Sequence, residues 1–410
     1  MTLPAVYRVR QHFKAKSIED VAGAVRAQFA GFDPGDKVKP GQSVALAVGS
    51  RGLHHLTTLV ATTIDCLKAL GLKPYIIPAM GSHGAATGEG QAEVLAGLGI
   101  SEATMGVPVR ATMDVASLGR LDNGAEVFFA RDALEADHFA VINRVKPHTA
   151  FRSEVESGLC KIMAVGCGRQ KGASNMHKFA LGQTIVPAAR LILEKVPVLC
   201  GLATVENPLG GIETISLARP EEFVAQDRDM LKLAWTLLPR IPLDDLDILV
   251  IDQMGKNISG AGIDPNVVGF WRREGGPREP DYRTIIVLDL SPESHGNATG
   301  IAMAELTTSR MMTQVDLKAT YMNALTSKVL RSVKLPIALE DDRTAVETAV
   351  DNCPDPAGVR LVRIRSTLHL ETFWATAALL PELRAQEGLT IEDEPRQLEF
   401  DASGRLLPPD

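Results

Sequence analysis

Cysteine is scarce in this chain. Five occur in 410 residues, Cys66, Cys160, Cys167, Cys200 and Cys353, an odd number set far apart. That excludes a disulfide framework and supplies neither zinc nor ferredoxin spacing. Each thiol reads instead as a small buried side chain. Long apolar runs are missing too, and nothing approaches the roughly 20 residues of a membrane span. Positive charge is not in excess: the formal net charge is −7, which argues against a nucleic-acid-binding face and against attraction to an anionic membrane. The opening MTLPAVYRVRQHFKAKSIEDV has no apolar core of a signal peptide, so a cytoplasmic protein is expected. The G-x-G-x-x-G fingerprint, the P-loop and H-E-x-x-H are all absent, and Gly166-Cys167-Gly168 followed by Gly172 is wrongly spaced. An ordinary dinucleotide site, a P-loop site and a metal site built from protein alone are therefore disfavoured.

What is present is a regular alternation of short apolar runs with longer amphipathic stretches. This is the pattern of βαβ units and of a largely parallel sheet flanked by helices. Strands are expected at 43–48, 73–78, 138–143, 198–205, 248–251 and 285–290, and helices at 56–70, 90–98, 186–194 and 222–237. The length suits two or three domains. The stretch 237–247, LLPRIPLDDLD, carries two prolines and a charge cluster and marks the boundary. The expectation is an N-terminal domain 1–240 holding the lysine and histidines discussed below, and a C-terminal α/β domain 241–410 whose tail is free to pack back on the first. The segment 269–283, GFWRREGGPREPDYR, reads as a lid or exposed loop.

Several expected strands run directly into loops rich in polar residues: Gly49-Ser50-Arg51-Gly52, Gly81-Ser82-His83-Gly84, Arg144-Val145-Lys146-Pro147-His148, Gln253-Met254-Gly255-Lys256 and Ser294-His295-Gly296-Asn297. Ligands of open α/β sheets bind beyond the carboxyl ends of the strands. The first three loops are thus expected at one edge, the last two in the second domain across a cleft that forms the active site.

Each residue has a plain reading beside the functional one. Arg51, with Ser50 and Gly52 around it, suits a phosphate at a helix start, or is a surface arginine by a turn. His83 and His148 stand where a proton could be taken from either face of a substrate; each is otherwise a loop histidine bonded to backbone. Lys146 and Arg152 could grip a carboxylate, or merely solvate the loop. Lys161, among apolar neighbours, is costly as a cation and suits a covalent bond to a carbonyl or cofactor; it could equally snorkel. His177 alone is a poor metal signal, although a metal held mainly by a cofactor needs only one protein ligand. Gln253 and Lys256 could bind a carboxylate or hydroxyl, or line a polar turn. His295 and Asn297 read first as turn chemistry.

In their order along the chain these residues resemble the nickel-pincer-nucleotide-dependent racemases, the family of lactate racemase. That family carries an Asp-x-Thr-Arg-Pro turn, a Gly-Thr-His loop, a second histidine, a Gly-Gly-x-Lys segment, a ligand histidine sixteen residues beyond that lysine, and a Gln-x-x-Lys pair. Arg51, His83, Lys161, His177 (sixteen residues after Lys161), Gln253 and Lys256 fall on these positions. The match runs from about residue 43 to 257. Val48 stands where the family has its Asp, and Gly49-Ser50 replace the two following residues. His148 lies thirteen residues before Lys161, farther than in lactate racemase.

The resemblance implies an isomerase, a racemase or epimerase of a 2-hydroxy acid working by reversible hydride transfer through a keto acid. It implies a nickel-pincer nucleotide, a pyridinium-3,5-bisthiocarboxylic acid mononucleotide, joined to Lys161. His177 would supply the protein ligand to nickel and Arg51 would hold the phosphate. His83 and His148 would move the proton, and Gln253, Lys256, Arg152 and Lys146 would orient the carboxylate. The cofactor would come from synthesis enzymes that meet the chain transiently. Two other readings stay open: a metal-free lyase or isomerase using Lys161, and a carboxylate-binding protein without turnover. Trp271, Arg272 and Arg273 of the polar insert are expected to help select a larger or more anionic substrate.

Overall fold

The computed structural model describes residues 3–50, 52–327 and 329–408. It divides into two compact units, Ala15–Leu238 and, together, Met1–Lys14 with Pro239–Asp410. The strands are β1 (Val6–Gln11), β2 (Ser43–Val48), β3 (Lys73–Pro78), β4 (Val115–Arg120), β5 (Glu126–Ala130), β6 (His138–Arg144), β7 (Val198–Glu206), β8 (Ile212–Ala218), β9 (Asp245–Ile251), β10 (Asp281–Val287), β11 (Leu306–Thr308), β12 (Ile337–Leu339), β13 (Leu361–Ser366), β14 (His369–Thr376) and β15 (Leu389–Ile391).

In unit Ala15–Leu238 the strands follow the order β3-β2-β6-β7-β8. The first four are parallel and β8 is antiparallel at the edge. Strand β2, SVALAV, is buried at every position but its first, as a strand covered on both faces must be. Its two faces enter separate cores. Ala45 and Ala47 pack with Tyr75, Phe129, Phe139 and Leu159; Val44, Leu46 and Val48 pack with Leu59, Ile64 and Leu67 of the helix Leu56–Ala69. A separate hairpin of β4 and β5 supports the first core through Val127 and Phe129.

The second unit holds a sheet in the order β12-β11-β10-β9-β13-β14-β1-β15. Its strands are parallel from β12 to β13 and antiparallel beyond. Both units are thus α/β, built on mainly parallel sheets flanked by helices. Among the described residues no helix is long and apolar enough to cross a membrane.

Two details depart from the sequence expectation. The first residues do not join the domain that follows them: β1 lies between β14 and β15, with Val9 opposite both Phe373 and Ile391. Its VYRVRQ pattern marks a strand, but local sequence does not name a strand's partner. The C-terminal tail packs within its own unit, Leu398 and Leu406 sharing a core with Val6 and Ile248. Deleting residues 1–14 should therefore unfold or loosen Pro239–Asp410 and leave Ala15–Leu238 intact. Hydrogen exchange checks this: amides of β13 and β14 lose protection, those of β2 and β6 keep it.

Candidate functional site

In the parallel register Val48 lies opposite Pro78 on one side and Ile142 on the other. The carboxyl ends of β2, β3 and β6 therefore share one edge, and the loops carrying Ser50, His83 and His148 start there. Gln253 and Lys256 belong to the other unit, just beyond β9. They follow the parallel pair β9 and β10, in which Ile251 lies opposite Val287.

Lys161 ends a single helical turn, Gly158–Lys161, which runs into a π-helical turn, Ile162–Gly166. Such turns are uncommon and frequent at functional sites. Three contacts fix the lysine segment. Gly158 adopts φ 86°, and a Cβ there would strike the carboxylate of Asp227. That carboxylate accepts from the backbone N–H groups of Leu159 (2.9 Å) and Cys160 (2.7 Å). Asn143, at the end of β6, donates its Nδ2 to Gly158 O at 2.6 Å. Lys161 itself is half-buried between buried Cys160 and Ile162.

The His83 loop lies on this segment. Gly81 N–H donates to Gly166 O at 3.1 Å. Gly166 must lack a side chain, because a Cβ would come within 2.5 Å of Ala79 O. His83 is exposed, and its Nδ1 lies 2.6 Å from Ser50 Oγ, so the serine fixes the ring's orientation. Beyond it Ala85 and Ala86 both sit in the left-handed region, at φ 53° and 57°. His55 (φ 56°) and Arg169 (φ 52°) do so in the same unit. Non-glycine residues resist this conformation, and such strain gathers where function demands it.

Arg169 is wholly buried and is held by Asp132 Oδ2 at 2.6 Å. It also donates to Gln91 Oε1 at 3.1 Å and to Pro78 O. Gln91 in turn donates to Gly81 O (2.9 Å) and His83 O (3.3 Å). Burial raises the Asp132 carboxyl above the usual range, and the adjoining guanidinium and Thr112 N–H pull it back.

The His148 loop has its own anchor in Glu156, 2% exposed. Its Oε2 accepts from His148 N–H (2.8 Å) and its Oε1 from Ser153 N–H (3.1 Å). Burial raises this carboxyl too, opposed by those bonds and by Arg152 and Lys161. Ala150 N–H donates to His148 Nδ1 at 3.1 Å, which sets the neutral tautomer with its proton on Nε2. The His148 ring leans on Phe151, centroids 4.3 Å apart. Ser157 Oγ both accepts from Lys146 N–H (2.7 Å) and donates to Lys146 O (2.6 Å). Arg152 braces this loop: it donates to His148 O at 2.7 Å and lies 4.6 Å over the Trp235 ring.

His177 caps the end of the helix Arg169–Met176 and is exposed. Gly52 is exposed next to Arg51, which lies outside the described residues. The helix Leu56–Ala69 begins without a side-chain cap. In the other unit Lys256 Nζ donates to Gly260 O (2.7 Å) and Asn323 Oδ1 (3.0 Å), and Gln253 N–H to Arg365 O at 3.0 Å. In the insert 269–283 residues 275–279 are exposed, while Arg272 and Arg273 turn inward. Arg272, its side chain 4% exposed, donates to Met303 O (2.8 Å), Glu305 (2.6 Å) and Tyr282 O, and Arg273 is buried against Glu274 at 3.2 Å. Both cations staple the insert to its own unit. Four cysteines are buried and Cys66 is half-buried; burial pushes the Cys167 and Cys200 thiols up to about 12. Among the described residues no group of three or more His, Cys, Asp or Glu side chains is placed to hold a metal.

Sequence reasoning missed Asp227, Glu156, Asp132, Arg169 and Gln91. No local motif marks them: Asp227, Asp132 and Arg169 act on residues distant in the chain, and Glu156 and Gln91 reach back 3 to 10 residues across irregular loops.

No family model matches the chain, and no curated protein does. Among solved structures it is similar to the lactate racemase apoprotein from Thermoanaerobacterium thermosaccharolyticum, with 12% identity and a TM-score of 0.56, over 89% of this chain and 99% of that one. At that identity the likeness is one of fold.

Asp227 gives a pH test. Its burial pushes the carboxyl up to about 7 against the two N–H bonds that favour the ion. A raised folded-state value means that its contribution is complete below pH ~4, is lost as pH rises toward 7, and is gone above. Asp227→Asn should flatten this decline in Ala15–Leu238 by up to about 1.4 kcal/mol per pH unit. Urea midpoints of both proteins between pH 4 and 8 check it; parallel curves count against the assignment.

Proposed function

We propose that the chain is a racemase or epimerase of a 2-hydroxy acid that works with a nickel-pincer nucleotide on Lys161. One observation carries the reading: a lysine leads into a π-turn whose segment is bonded to Asn143 of β6 and to Gly81 of the His83 loop, beside two histidine loops that start where β2, β3 and β6 end, in a fold similar to that of lactate racemase. The residues present fit such a group. Lys161 is half-buried at the end of its helical turn, and the uncapped start of the helix Leu56–Ala69 suits a phosphate, with Ser50, Arg51 and Gly52 leading into it in the sequence. His177 is the ligand offered to the metal. When bound, the group supplies a reversible hydride acceptor, chemistry that no side chain provides.

The protein's own task is proton transfer and placement. Racemisation needs a base for each face of the substrate, and histidine works in both directions near neutrality. His83 takes or returns the hydroxyl proton through Nε2 while Ser50 holds its Nδ1 side. His148 does so through Nε2, because its Nδ1 accepts from Ala150. Lys146 meets the substrate carboxylate, with Gln253 and Lys256 retained as further carboxylate-binding candidates. Arg152, its guanidinium engaged with His148 O and Glu156, contributes by holding the His148 loop.

The test is the intact denatured mass after co-expression with the cofactor-synthesis enzymes. An adduct of nucleotide size is expected on the wild type and not on Lys161→Ala. In the loaded protein His83→Ala and His148→Ala should each slow α-hydrogen exchange of the substrate by about 10²–10⁴-fold. With lactate racemase loaded in parallel, absence of the adduct removes the nickel reading. Borohydride trapping on Lys161 would then favour the metal-free isomerase, and tight carboxylate binding without exchange the non-catalytic protein.

A further inference from the structure

We propose that Arg169 is a positioning residue for His83, acting through Gln91 and the Pro78 carbonyl; this rests on His83 being a proton-transfer residue. The cation reaches both ends of the His83 loop. At the start it donates to Pro78 O, the last residue of β3. At the far end it holds Gln91, in the helix Gly88–Gly97. Gln91 turns back on the loop, donating to Gly81 O at 2.9 Å and His83 O at 3.3 Å. The guanidinium thus closes a ring of contacts around the segment that carries His83.

The geometry exceeds what packing alone requires. Arg169 is 0% exposed and Gln91 likewise. The arginine keeps a left-handed backbone at φ 52°, and Ala85 and Ala86 of the clamped loop are left-handed as well. A loop with two such alanines relaxes unless its surroundings over-determine it. The clamp supplies that constraint from the helix Arg169–Met176, the element that follows the Lys161 segment and ends at His177. The His83 loop is thereby referenced to the helix that lies between the Lys161 segment and His177. Ser50 orients the ring, with Oγ 2.6 Å from Nδ1, only if the loop brings it there.

Loss of Arg169 alone would leave Asp132 buried and unpaired and would unfold the unit for reasons unrelated to His83. The experiment therefore uses two other variants of the full chain, Gln91→Met and the double variant Arg169→Met with Asp132→Leu. The double variant removes both charges and replaces them with apolar volume, a change buried ion pairs often tolerate. The readout is the ¹⁵N spectrum of the nine histidines, with the His83 signal assigned by its loss in His83→Gln. A ring held against Ser50 shows well-separated Nδ1 and Nε2 shifts; a released ring averages its tautomers and the two shifts converge. Convergence in a variant whose urea midpoint stays near that of the wild type is the expected result. Loaded with cofactor, that variant should lose at least tenfold in kcat with KM within twofold.

Wild-type separation of the shifts in both variants overturns the proposal, and so does unfolding of both, which marks a purely structural pair. If the double variant alone unfolds, Gln91→Met decides. The ring signals are read without turnover, so a wild type that racemises nothing counts against the function and not against the clamp.

Discussion

The buried pair of Arg169 and Asp132 constrains the first unit more than any other interaction. Removing two charges from water costs several kcal/mol each even after relaxation. Mutual attraction offsets this only when hydrogen bonds occupy what remains of both groups. Here the guanidinium is shared among Asp132, Gln91 and Pro78 O, and the carboxylate also receives Thr112 N–H and its hydroxyl, both at 3.4 Å. Among the described residues Arg169 Nε and Asp132 Oδ1 have no hydrogen-bond partner. The pair is thus not an economical way to stabilise a core. What it does is fasten together β3, the helix Gly88–Gly97, the short turn before β6 and the helix after Lys161, elements whose loops bear the candidate chemistry.

A division of labour follows. Strands β2, β3 and β6 are apolar and satisfied by their ladders, so they fix only an edge. The side chains at that edge are held by second, buried groups. Glu156 holds the His148 loop, Asp227 the turn of Lys161, and Arg169 with Gln91 the loop of His83. Each is acidic, or tied to an acid, and burial raises each of the three carboxyls. Their environments trade carboxylate stability for fixed backbone. Glycine appears where two of these segments touch: Gly158 under Asp227 and Gly166 against Ala79 O leave no room for a Cβ.

Much of this frame was legible in the sequence. Strands β2 and β3 were bounded by their apolar runs at 43–48 and 73–78, because strands covered on both faces show as continuous hydrophobic segments. The helices Leu56–Ala69 and Phe223–Leu237 were visible from their periodicity to within a residue. Strands β13 and β14 were not, since they mix charge with apolar residues; β15 is only three residues long, and β1 had no local sign of its distant partners. The candidate site divides the same way. The candidates Ser50, His83 and His148 stand in short loops after strands and could be picked out there, and Lys161 by its apolar neighbours. Residues that hold them are set by tertiary contact. Asp227 is 67 positions from Cys160, and Arg169 is 78 from Gln91, and no spacing rule links such pairs. The insert 269–283 divides likewise: residues 275–279 are exposed as its composition suggests, but composition does not show that Arg272 is stapled to Tyr282 O and Met303 O.

Val48 sharpens the point at the first turn. It stands where the resembling family has an acid, and here it is 0% exposed, in register with Pro78 and Ile142. A carboxylate in that position would be buried among apolar neighbours, Leu46, Met80 and Ile142 of the same core, with a large desolvation cost. The chain has therefore committed the end of β2 to the core and placed its first polar group two residues later, at Ser50. That hydroxyl is neutral, so it needs no counter-charge, and at 2.6 Å it directs the His83 ring without fixing the ring's charge. A histidine oriented by a carboxylate is biased toward the imidazolium; one oriented by a hydroxyl can give or accept a proton with less bias. For the reversible reaction proposed above, the neutral partner is the better match.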